Sequence, residues 1–229
     1  HTIYGGPSIP FPNQKYNEKL CHYAKRSYYV TGYLNFRKYK AKSRFCDWVE
    51  SCNMLMARDL YLKHGGMNIH TYLGEDKELI ARMKNKDKKI KVFYTPKLFV
   101  YHKERSFKKL LLQRMVFGSD LFNIIKFGNK INGFQPILPL LVTISFISIL
   151  FIDLNLNIKI AFLTAYILST LLLIILDIKR YLKKIKDILL TILIILFANI
   201  AYVLGNSFAI LGLKNLINRK FYIKSRHNE

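Results

Sequence analysis

The chain has 229 residues, 51% of them hydrophobic, and its 37 Lys and Arg against 14 Asp and Glu give a net charge of +23. That charge selects an anionic partner: a nucleic acid, a diphosphate substrate or the anionic cytoplasmic leaflet of a membrane. Cys21, Cys46 and Cys52 are odd in number and form no Cys-x-x-Cys pair, which excludes a disulfide framework and a cysteine zinc site and points to a reducing compartment.

Residues 4 to 13 hold two Gly and three Pro, and the composition predicts a stiff irregular loop with no regular element. From Lys15 to Arg44, basic and aromatic residues interleave, with an early helical pattern and a turn at Thr31-Gly32. No recognition-helix pattern or aromatic RNA-binding signature accompanies them, so nucleic acid is not the expected partner. Residues 46 to 57 read as a buried strand, followed by a helix from about Arg58 to Gly65-Gly66.

Gly74-Glu75-Asp76-Lys77-Glu78-Leu79 then places three carboxylates within four positions of a basic chain. Gly74 permits a sharp turn, and Leu79, Ile80 and Met83 give the following segment a helical apolar face. Glu75 and Asp76 thus fall in a helix's first turn, facing the positive end of its dipole. By themselves they fit a helix start as well as a catalytic site. Lys89 to Pro96 and Leu98 to His102 read as two strands, and the element order suits an α/β domain.

Ser106 is a candidate N-cap for a basic, apolar helix from Phe107 to about Phe127, expected to lie on a membrane surface. Uncharged runs at 134–152, 160–176 and 188–213 each approach the ~20 residues needed to span a bilayer. Five basic residues between Lys179 and Lys186 assign the loop joining the last two runs to the cytoplasm, on the same side as the N-terminal domain. The basic tail after residue 213 would then face outward, against the same rule. Either the third run, interrupted by Asn199 and Gly205-Asn206, forms a broken or re-entrant element, or the tail breaks the rule.

Gly5-Gly6-Pro7, Asn53-Met54-Leu55-Met56, Gly65-Gly66, Gly74-Glu75-Asp76 with Arg82, Pro96 to His102, and Arg105-Ser106-Phe107 leading to Gln113 occur in an informative order. In that order they resemble the second half of the catalytic domain of membrane-bound, inverting glycosyltransferases of family 2. The resemblance covers about residues 3 to 128. It implies an α/β chain: a partial, Rossmann-like GT-A domain over 1–105, an interfacial helix and linker over 106–133, membrane helices over 134–213 and a basic tail over 214–229.

The resemblance also implies Asp76 as general base and Glu75 as an acceptor-orienting carboxylate. It places Gly5, Gly6, Asn53, Arg105, Gln113 and Arg114 at the substrates, a nucleotide-sugar donor and a glycan or lipid-linked acceptor. The family's Gln-Arg motif is only partly matched, because Met115-Val116-Phe117 follows it. His102 is implied as a ligand to Mg²⁺ or Mn²⁺, with the main metal ligands expected in a first half that this chain does not display. No initiator Met or signal peptide is present, so the chain reads as the C-terminal piece of a longer, multi-pass cell-membrane protein that contacts anionic lipids. The competing reading is a non-enzymatic polybasic membrane protein; a transporter is disfavoured by spans almost free of ionisable residues.

Overall fold

The computed structural model describes residues 2–68, 74–119, 144, 145, 148, 151–153 and 155–213. The first predicted span lies largely outside them, and so do the linker after residue 119 and the basic tail. Strand β1 (Thr2–Gly5), β-branched and aromatic in composition, lies at the centre of a four-stranded sheet. It pairs in parallel with β5 (Lys91–Tyr94) and antiparallel with β4 (Met54–Leu55), while β3 (Arg44–Cys46) closes the other edge against β5. A second, two-stranded sheet joins β2 (Ser8–Ile9) in parallel to β6 (Val100–Tyr101).

Two sequence expectations are corrected by this arrangement. Residues 4 to 13 are not an irregular loop; they carry the end of β1 and all of β2. The prolines are tolerated because Pro7 lies between the strands, where its carbonyl accepts from the Val100 amide and no N–H is needed. Residues 46 to 57 are not one buried strand. They turn through a 3₁₀ segment, Ser51–Asn53, between β3 and β4.

One sheet face is covered by α3 (Arg58–Lys63) and α4 (Glu75–Lys86), which bring Leu60, Leu79, Ile80 and Met83 against Ile3, Val49, Ile90 and Val92. Each fully buried aliphatic side chain stabilises this layer by roughly 1.5–3 kcal/mol. The opposite face carries a row across all four strands, Phe45, Phe93, Tyr4 and Leu55, in register. Phe45 and Leu55 are 64% and 62% exposed there.

The helical half begins with α1 (Tyr16–Arg26) and α2 (Tyr28–Thr31), followed by a 3₁₀ stretch, Gly32–Lys38. Leu20, Cys21, Ala24 and Val30 pack on Ile174, Ile178, Ile188, Ile192 and Ile195 of two long apolar helices, α6 (Leu156–Ile178) and α7 (Ile185–Ile210). Both are long and apolar enough to cross a membrane. Their turn lies at the end where α1 docks. Helix α7 runs unbroken through Asn199 and Gly205-Asn206, which removes the broken-helix alternative for the third run.

Helix α5 (Phe107–Ser119) also departs from expectation. Instead of lying free on a surface, it packs backbone to backbone along the second half of α7. A Cβ on Gly118 would lie 2.1 Å from the Tyr202 carbonyl oxygen, and one on Gly205 would lie 2.0 Å from that of Met115. Gly205→Leu is therefore expected to lower stability by more than the ~1–3 kcal/mol typical of overpacking, because backbone and not a flexible side chain must yield. Thermal unfolding in detergent checks this; an unchanged midpoint would refute the close approach.

Candidate active site around Asp76

Gly74 takes a left-handed conformation, φ +78°, that turns the chain into α4 and sets Glu75 and Asp76 in its first turn. Asp76 is 6% exposed. Its carboxylate accepts from the backbone N–H of Ser51, 2.9 Å away in the 3₁₀ segment before β4, and from its own neighbour Lys77 at 2.7 Å. Burial pushes the Asp76 carboxyl up from 3.8 to about 6; the Ser51 hydrogen bond opposes this, the Glu75 charge adds to it, and Lys77 N–H and Arg37 pull it back. Glu75 remains half-exposed beside it and accepts from Ser51 Oγ at 3.4 Å. Glu78 is taken up by Arg82, whose Nε donates to it at 2.7 Å.

The glycines and Asn53 meet this same 3₁₀ segment. A Cβ on Gly5 would lie 2.6 Å from the Asn53 carbonyl oxygen, and one on Gly6 would lie 1.5 Å from that of Leu98, so only glycine fits these close approaches. Asn53 Nδ2 donates to the carbonyls of Leu98 at 2.7 Å and Pro7 at 3.3 Å. The Gly5-Gly6-Pro7 link, the 95–98 loop and the Ser51–Asn53 turn are thereby fixed to one another, with Asp76 at their edge.

Beneath them lies a polar network that sequence reasoning missed. Glu50 accepts from Lys38 Nζ at 2.8 Å and from Ser8 Oγ, and Arg37 approaches to 3.6 Å while its guanidinium stacks 3.8 Å over Trp48. Burial would raise the Glu50 carboxyl, but Lys38, then Arg37 and the two hydrogen bonds outweigh it and hold it at about 2. Glu104, 2% exposed, accepts from Lys25 Nζ and lies 3.1 Å from His22 Nδ1. Burial acts upward on Glu104 as well, and Lys25, Lys38 and His22 override it, leaving the carboxyl well below the usual range. The partners lie 79 to 82 positions apart, so no local pattern announces them.

His102 follows β6, its N–H bonded to the Ile9 carbonyl at 2.8 Å. Burial, then Lys38, lowers its pKa and keeps the imidazole neutral, and its Nδ1 is buried without a hydrogen-bond partner. A neutral, orphaned ring nitrogen suits a cation, but no three His, Cys, Asp or Glu gather as a metal-binding group among the described residues. Glu50 and Glu104, the acids that act on its charge, are already held by lysines. The described donor set does not form a divalent-cation site.

Arg105 follows Glu104 just ahead of α5, and Gln113 is half-buried on that helix. Arg114 is not brought to Asp76; its guanidinium lies 4.6 Å over the Tyr202 ring of α7. The residues expected at the substrates thus divide into Gly5, Gly6 and Asn53 around the 3₁₀ segment, Gln113 and Arg114 on the helix that packs against α7, and Arg105 just ahead of that helix. Comparison with family models, with curated proteins and with solved structures finds no match for this chain.

Proposed function

We propose that the chain is the acceptor-side part of an inverting glycosyltransferase of family 2, built on a GT-A domain and carried at the cytoplasmic face of a cell membrane by α6 and α7. The observation that supports this best is Asp76: a carboxyl withdrawn from water, raised to about 6 and still presented at a loop edge. A base whose pKa lies near the working pH combines the right protonation state with adequate proton affinity. A carboxylate that served only to start the helix would gain from the dipole and free N–H groups and fall below its usual value.

In the transfer, Asp76 takes the proton of an acceptor hydroxyl while that oxygen forms a bond to the anomeric carbon of the donor sugar. The bond from that carbon to the diphosphate oxygen breaks on the opposite face, and the nucleoside diphosphate leaves with the electron pair. Inversion at carbon follows from this single displacement. The N–H of Ser51 holds the carboxylate oriented, and Glu75 is placed to accept a second acceptor hydroxyl. Arg105 is the described cation assigned to the leaving diphosphate, a task suited to a guanidinium fork.

Membranes holding the intact protein, incubated with a panel of nucleotide sugars, test the reading. Transfer from one donor is expected, with a rate that declines on the acid side near pH ~6 as Asp76 protonates. No turnover of any donor would remove it.

A further inference from the structure

We propose that the α6–α7 turn and the start of α1 together form a binding surface for anionic phospholipid headgroups. The exposed apolar surface of α6 continues to Leu176, and the polar boundary begins with Asp177 and Lys179. At 23 residues the helix is about 34 Å long, sufficient for a bilayer's hydrocarbon core. The turn after Ile178 therefore lies at headgroup level.

Lys179, Arg180, Lys183, Lys184 and Lys186 are all exposed there. None forms an ion pair with an acid among the described residues. The nearby acids are already engaged: Asp177 accepts from Ser27 Oγ at 2.7 Å and Tyr28 N–H at 2.9 Å, and Asp187 accepts from Tyr16 Oη at 2.5 Å. These bonds draw α1 and α2 to the turn, and its five cations outnumber Asp177 and Asp187 by three, so the turn keeps a net positive charge. Lys15 and the exposed rings of Tyr16 and Tyr28 extend the surface, with Lys186 Nζ 5.9 Å from the Tyr16 ring. Aromatic rings beside lysines at the end of an apolar helix match the chemistry of the headgroup layer. The inference rests on the membrane placement of α6 and α7 and is independent of the sugar-transfer reading.

The test is the association of spin-labelled phosphatidylglycerol against spin-labelled phosphatidylcholine with the intact protein in nanodiscs. A preference of about five-fold or more for the anionic lipid at low salt is expected, shrinking as ionic strength approaches ~1 M. Changing all five turn cations to Gln should bring the ratio close to one. The single changes Lys179→Gln and Lys183→Gln should each remove part of it, which keeps the test valid if the five-fold variant misfolds. Lys84→Gln with Lys89→Gln, on the sheet domain, should leave it unaltered. Equal association of both lipids with the wild type, or a preference that survives the turn substitutions, overturns the proposal. So does displacement of the lipid by a nucleoside diphosphate or an oligonucleotide, which would assign the surface to a soluble polyanion.

Discussion

Asp76→Asn is expected to make the folded protein more stable at about pH 8 while lowering sugar transfer by ~10² to 10⁴. The stability effect follows from linkage. With its carboxyl raised from 3.8 to about 6, the folded state holds its proton where the unfolded chain has lost it. Stability therefore falls as pH rises through that window, and above it the whole penalty, up to about 3 kcal/mol, burdens the wild type. The amide removes the ionisation and keeps an oxygen for the Ser51 N–H. Urea unfolding at about pH 8 and at about pH 4 would show the gain at the higher pH and its loss at the lower. A helix-start carboxylate predicts the reverse, a variant less stable at neutral pH with transfer unharmed.

Glu104→Ala should cost about 3–5 kcal/mol, because it leaves Lys25 buried without its counter-ion. The wild-type contribution of Glu104 is fully present above the usual glutamate range and disappears as pH falls through its depressed value. The double variant Lys25→Met with Glu104→Leu is expected to recover most of the loss, since a buried pair can be replaced by hydrocarbon at little net cost. Thermal unfolding of wild type, Lys25→Met, Glu104→Leu and the double variant in one detergent supplies the cycle; a double-variant loss equal to the sum of the two single losses would show that the pair is not coupled.

The long apolar helices were legible because uncharged runs of 17 and 26 positions admit few alternatives, and α4 was legible because Gly74 and the apolar Leu79, Ile80 and Met83 agree on one period. The sheet was not legible. Its central strand ends in the Gly-Gly-Pro run that argues against regular structure, and what rescues it is pairing with β5, nearly ninety positions away. Glu75 and Glu78 illustrate the same limit. Their charges were visible in sequence, but burial acts on Asp76 more strongly than either of them, and Glu78 is diverted to Arg82. Nothing in the basic stretch from Lys15 to Arg44 distinguishes Lys25 and Lys38 from its other cations, and only the fold encloses them with Glu104 and Glu50. At Arg114 the order of motifs alone predicted a diphosphate contact, whereas the helix bearing it faces α7.

The reciprocal contact of Gly118 and Gly205 leaves α5 and α7 no plane along which to slip. Sliding by one turn, about 5.4 Å, would bring larger side chains against the carbonyls of Tyr202 and Met115. The two helices must then travel as one rod. Any motion of the segment that links Glu104 to α5 is passed to the apolar half of the molecule without play, as a gear tooth passes rotation.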